Sequence, residues 1–417
     1  MPRANRSRAR RCSRPPPCPR RGRWIPMRWR WRWTICKSPA RARWCCNSRR
    51  DAKPRRPRIE GEQAMIRLQR SIIHGIRAAK TAAELHYYLQ NAVELEHATI
   101  PPYLTAMFSL KPGYNVEIRQ LIHSIVMQEM LHMCIAGNIL IAIGGHPQIN
   151  KPPFIPKYPG PLPMSIGGDD FIVGIEPFSK ELVFNTFMVI EEPEDPVPVE
   201  TPKLAAEEEP DYATIGEFYD AIKKKIKELG DGIFIPATVP KQVLGWFSPE
   251  RLFPITDVAS ALHAINIIIV EGEGTSTNPN QSPGNPAHYY KFGEIYYGRR
   301  IVSTPDGGYA YAGAEVPYDP AGVYPMVSNP QDYDYQDNTQ AKVRVEAFAY
   351  SYSSLLNALH QAFNGEPKRI DTAIGLMYDL KVQAVSLMET PVAPGSEKTA
   401  GPSYRYVNTQ GGMDTSD

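Results

Sequence analysis

The stretch VELEHATIPPYL, Val93 to Leu104, decides how the chain reads. It lies inside a helical pattern, yet carries Glu94, Glu96 and His97 just before Pro101 and Pro102. Neither proline has an N–H to give the preceding turn, so the carbonyls of His97 and Ala98 lose their helical partners and the helix loosens beside Glu96. The stripe 85, 89, 92, 96, 99, 103, 107 reads Leu, Leu, Ala, Glu, Thr, Tyr, Met. It turns Glu96 inward and leaves Glu94 toward the polar side. For His97 the residue pattern favours a surface or internally satisfied histidine over a ligand.

The neighbouring segment supplies the matching half. Positions 118, 122, 125, 129, 132, 136, 139 and 143 read Ile, Ile, Ile, Glu, His, Ala, Ile, Ile. Glu129 and His132 therefore interrupt an apolar stripe one turn apart, and a buried carboxylate is costly unless paired or metal-bound. Helices are predicted over about Ala82–Ser109 and Val116–Ile143, with Gly144-Gly145 as the stop. In an antiparallel hairpin, Glu96 and Glu129 each stand 13 residues from the turn between them, roughly 20 Å along the axis. A glutamate facing Glu-x-x-His at one depth is the half-site pattern of carboxylate-bridged dinuclear bundles.

Composition bounds the rest. Residues 1–60 hold 19 Arg and 2 Lys against Asp51 and Glu60, a net of +19, while the remainder carries −16. The acidic body argues against nucleic acid as its partner. RWRWRW (Arg28–Trp33) reads either as a cationic arm or as sequence upstream of a start at Met65; residues 1–64 are expected to be a disordered extension, dispensable for folding. Five of six cysteines fall there, so Cys134 alone gives no disulfide framework, and no apolar run is read as membrane-spanning. The expectation is a soluble cytoplasmic protein that takes a small-molecule substrate, with no nucleic acid and no membrane for its core, and with a homo-oligomer as one assembly open to it.

Further helices are predicted over Tyr212–Leu229, Asp257–Glu273, Ala287–Tyr297, Lys342–Phe363 and Ile370–Met388. Pro147–Pro177 reads as loop with a short strand at Phe171–Gly174, Glu191–Pro210 as an acidic, proline-laden linker, and 391–417 as a flexible tail. Glu271 and Glu273 close an apolar stretch, INIIIV, that gives no clear face, and His288 with Tyr289 and Tyr290 opens a helix; a plain helix end explains either. Tyr87, Tyr88, Tyr103, Tyr289 and Tyr290 are read chiefly as packing, with an aromatic pocket or electron relay as the alternative.

ELEHATIPPYL, EMLHMCIAGNILIAIGGHP, YPGPLP, ATIGEFYDAI, EGEG and AHYYKFGEI, in that order between Thr81 and Gly298, resemble the ferritin-like domain family named after iminophenyl-pyruvate dimer synthase. That domain occurs in enzymes of violacein, rebeccamycin and staurosporine assembly. The resemblance implies a mainly α, ferritin-like four-helix bundle over 65–390, with a large loop-rich insert at about 147–256 between helices 2 and 3. It implies metal ligands at Glu96, Glu129, His132, Glu273 and His288, with Glu271 as the alternative to Glu273. Similar proteins carry an acid three residues before the last histidine, where this chain has Asn285. Carboxylates with few imidazoles and no thiolate favour iron or manganese. The implied activity is a metal-dependent oxidoreductase-like or imine-coupling enzyme for an amino- or imino-acid-derived aromatic substrate. A metal-binding protein without organic substrate is the alternative.

Overall fold

Thr81 opens helix α2 (Ala82–Ser109), its hydroxyl accepting the Glu84 N–H in an N-cap. α2 follows the short α1 (Arg70–Ala78), and α3 (Val116–Ala142) folds back against it. Gly144, at φ 87°, takes the left-handed conformation that ends α3, and Gly145 N–H returns to the Leu140 carbonyl at 2.8 Å. This computed structural model describes residues 68–409 apart from 166, 167, 169, 195, 201–211 and 338. The expected extension at 1–64, the far part of the acidic linker and the end of the tail lie outside the described residues.

Where a kink or loosening beside Glu96 is expected, α2 runs unbroken through Pro101 and Pro102. The carbonyl of Ala98, freed by Pro102, accepts the Tyr158 hydroxyl at 2.6 Å. The loop carrying YPGPLP is thereby fastened to the helix turn that bears Glu96.

The stretch expected to be one insert, 147–256, contains a helical element of the bundle. Ser179 caps α4 (Lys180–Leu182), which passes through a π-helical turn over Val183–Phe187 into α5 (Met188–Ile190). Phe187 packs against Tyr103 of α2 and Phe292 of α8 (His288–Tyr297), ring centroids 4.6 and 5.2 Å apart. Loop-rich segments flank this element on both sides. α6 (Ile215–Leu229) starts from a Thr214/Glu217 capping box, and α7 (Val258–Gly272) from a second box at Asp257/Ser260. At Phe171–Gly174 only a single bridge forms, between Gly160 and Val173.

α9 (Gln340–Phe363) and α10 (Ile370–Met388) form a second antiparallel pair laid on the outer side of α2 and α3, with Phe363 seated on Gly137. The expectation of a loose tail is corrected over 391–409. Ala400 is buried, Val407 N–H donates to Ser353 at 2.8 Å, and Tyr404 lies edge-on to Tyr352 and Phe348. Aromatic burial outweighs the polar composition that pointed to disorder. α3 has the length and hydropathy of a membrane span, but its apolar faces are buried inside the protein.

Candidate metal centre

Four elements converge where α2 and α3 face α5 and α8. Glu96, Glu129, His132 and His288, all singled out in the sequence, meet there with Glu191, the residue following α5. Two candidate ligand groups form, Glu96/Glu129/His132 and Glu129/Glu191/His288, each with its donor atoms within 4.8 Å of one another. Glu129 belongs to both. His132 Nδ1 lies 3.6 Å from Glu96 and 3.9 Å from Glu129, and His288 Nδ1 lies 2.9 Å from Glu129 and 3.3 Å from Glu191. All five residues are less than a tenth exposed.

Each carboxylate is oriented by one hydroxyl. Thr99, one turn after Glu96, donates to Glu129 at 2.8 Å; Tyr103 donates to Glu191 at 2.6 Å; and Tyr219 of α6 donates to Glu96. Burial, then the Glu129 charge, pushes the Glu191 carboxyl upward. Among the described residues no lysine or arginine pairs with Glu96, Glu129 or Glu191. Three buried carboxylates and two imidazoles without such a partner fit a cation. With no thiolate in the set, they fit a hard or borderline one.

Behind His132, Nε2 faces the Glu271 carboxylate at 3.1 Å, and Arg251 donates to the same carboxylate from Nε at 3.0 Å and from a second nitrogen at 2.5 Å. With the Nε2 proton given to Glu271, the Nδ1 lone pair faces Glu96 and Glu129, the arrangement that fixes a ligating histidine. Burial lowers His132, but the hydrogen bonds and charges of Glu271, Glu96 and Glu129 outweigh it and raise it to about 10. Glu271 is driven down to about 2, since His132 and Arg251 overcome the opposing effect of burial. Glu271 therefore stands behind a candidate ligand. Among the described residues His288 has no equivalent support, and its buried Nε2 has no protein partner.

Glu273 lies in the wall of a cavity that Glu96, Glu129, His132 and Glu191 also line, outside both candidate groups. It accepts the Gly216 N–H, at the start of α6, at 2.7 Å. A Cβ on Gly216 would stand 2.4 Å from that carboxylate, so glycine is what lets it approach. Burial and the charges of Glu191, Glu194 and Asp220 raise Glu273 to about 8 against the Gly216 hydrogen bond. Asn285 is exposed in a two-residue strand (Asn285–Pro286) and takes no part. Glu94 is bound to Gln90 away from both groups. Of the five tyrosines named from sequence only Tyr103 touches a candidate ligand; Tyr87 is exposed.

Glu191 was hidden in the sequence at the head of EEPEDPVPVE, which reads as linker. A signal was present: Val183, Phe187 and Glu191 recur at four-residue steps, the same apolar stripe broken by an acid that exposes Glu96 and Glu129. Tyr219 and Arg251 had no such signal, because each comes from a distant segment.

Two Glu/His groups sharing one carboxylate in the core of a helical bundle define a ferritin-like architecture. A family model described as Ferritin-like matches residues 89–297, and the chain belongs to that family. Among curated proteins it is similar to the dichlorochromopyrrolate synthase of Lentzea aerocolonigenes, 23% identical in an alignment of 326 residues that covers 69% of this chain. The match spans only 30% of that enzyme's length. Among solved structures, a ferritin like protein from Caulobacter vibrioides superposes with a TM-score of 0.52 at 24% identity, covering 78% of this chain and 99% of that one, a likeness of fold.

Proposed function

We propose that this protein is a metal-dependent, oxidoreductase-like enzyme that holds iron or manganese through Glu96, Glu129, His132, Glu191 and His288. Its substrate would be an amino- or imino-acid-derived aromatic compound, as in the iminophenyl-pyruvate dimer synthase type of ferritin-like domain. The observation that carries the reading is the sharing of Glu129 between two incomplete ligand groups. Five protein ligands do not fill the coordination spheres of two ions, so positions remain for a non-protein group, as a reactive site requires. The resemblance to a synthase that assembles an aromatic product supports the substrate class.

Bound iron or manganese would supply one-electron redox chemistry and Lewis acidity. The chain's own residues do the rest. Glu271 and Arg251 hold His132 in one tautomer; Thr99, Tyr103 and Tyr219 fix the carboxylates; and the apolar wall of Leu95, Ile190 and Ile268 limits water. Glu273, protonated in part near neutrality, can give or take a proton at its carboxyl oxygens on the cavity side.

One observation favours the second reading, a metal-binding protein without organic substrate. The cavity beside the carboxylates is only about 30 Å³, room for a water-sized group. An aromatic acid would have to part the wall near Ile215, Gly216 and Gly272. The deciding experiment loads the purified protein with ferrous iron under nitrogen and records optical spectra before and after adding aromatic 2-imino acids, then air. The enzyme reading expects a substrate-dependent spectral change at about one equivalent per site. A change with air alone supports the substrate-free reading, and iron that does not bind removes both.

A further inference from the structure

On the other side of α2 and α3 lies a second cavity that shares no wall residue with the metal centre. It is about 80 Å³ and enclosed between the α2–α3 and α9–α10 pairs by side chains such as Ile100, Cys134, Leu356 and Leu380. A neighbouring cleft of about 140 Å³ has Leu104, Phe108, Met130, Trp246 and Met377 in common with it and opens to the surface at His123, Tyr378 and Lys381. The two adjoin along α2 across those five side chains, and a shift of Met130 and Met377 would join them into one passage. From Phe108 to His97 it spans 11 residues of helix, roughly 16 Å. Methionines from α3 and α10 line it, side chains that re-pack easily around an apolar guest.

The polar groups of this passage stand chiefly at its two ends. At the mouth, Lys381 is exposed and His123 lies close enough to be lowered by its charge as well as by burial. Neither forms an ion pair among the described residues. At the inner end, His97 is 4% exposed, and its Nε2 meets the Tyr352 hydroxyl at 2.8 Å. Among the described residues its buried Nδ1 has no partner, a cost that a hydrogen-bonding group inside the cavity would remove.

We propose that this passage binds a single-chain amphiphilic carboxylate: its acid group at Lys381 and His123, its apolar body between the two helix pairs, and a terminal hydroxyl or carbonyl against His97. A neutral ligand would leave the cationic mouth unused. A two-chain lipid would exceed the enclosed inner space, which has room for one chain. The site stands apart from the metal reading, because no candidate ligand lines it.

Calorimetric titration of the full chain with 12-hydroxydodecanoate, dodecanoate and dodecan-1-ol tests this. The hydroxy acid is expected to saturate at one per chain, and the alcohol without an acid group to bind about tenfold more weakly, the loss of one charge-assisted contact. Lys381→Glu, an exposed and fold-neutral change, should weaken both acids by about the same factor and leave the alcohol unaffected. His97→Phe should erase the advantage of the hydroxy acid over dodecanoate. Metal content should not change in either variant. The proposal is overturned if 12-hydroxydodecanoate gives no saturable heat, if Lys381→Glu leaves acid affinity unchanged, or if the protein binds only phosphatidylglycerol vesicles.

Discussion

Replacing Glu271 tests whether the candidate centre is built in two layers. Glu271→Ala leaves every proposed ligand in place but removes the acceptor 3.1 Å from His132 Nε2. An unsatisfied buried N–H costs about 1–3 kcal/mol, and losing such a supporting partner typically weakens metal binding by about 10- to 100-fold, or about 1.4–2.7 kcal/mol. Arg251 is more than a third exposed, so its release to water adds little. Arg251→Ala should therefore weaken binding by less than Glu271→Ala, because Glu271 still accepts from His132. Glu271→Gln keeps an acceptor oxygen and should recover most of the affinity. The assay is competition against a chromophoric chelator of known affinity, with circular dichroism confirming the fold of each variant. Glu271→Ala binding within twofold of the parent, or Arg251→Ala binding more weakly than Glu271→Ala, would refute the two-layer reasoning.

Elemental analysis should show Glu129→Ala losing more metal per chain than Glu96→Ala or Glu191→Ala, since Glu129 alone serves both groups, while Glu94→Ala keeps the parent content. Metal-free protein should lose stability to urea as pH rises from about 5 to about 8. The Glu273 carboxyl has a higher value folded, about 8, than the ordinary 4.5; its contribution is complete below 4.5 and gone above about 8. Glu273→Gln should flatten that slope, and an unchanged slope would discount the group. Gly137→Ala would place a methyl 2.6 Å from the Phe363 ring and should cost about 1–3 kcal/mol by urea denaturation.

The sequence makes the α2–α3 half of the site readable because long helices write their buried faces as stripes, and an acid within a stripe stands out at Glu96, Glu129 and His132. The second half is harder for a physical reason. It is assembled from helix ends: Glu191 follows α5, and His288 begins α8. A helix end offers one or two turns of pattern, too few to fix a face, which is also why Glu271 and Glu273 stay indistinguishable until Arg251 and Gly216 take one each. The packed segment 391–409 illustrates the converse. Its polar composition suits a loose tail, and only the packed structure, where Tyr352 and Ser353 meet it from α9, shows that it is held.

The π-helical turn at Val183–Phe187 makes the second ligand group a matter of helical phase. Met188 N–H closes on the Val183 carbonyl, five residues back, so this turn takes up one residue more than an α-helix would between the same ends. Both ends are tethered, Phe178 N–H to Ser109 at 2.7 Å and Glu191 to Tyr103 at 2.6 Å. Rewinding the turn as α with the same residues would rotate everything after it by about 100°, and Glu191 would swing away from His288. A relative with one residue fewer there can keep both tethers and the same inward acid. The winding of a single turn thus sets whether the bundle presents one cation-sized nest of donors or two.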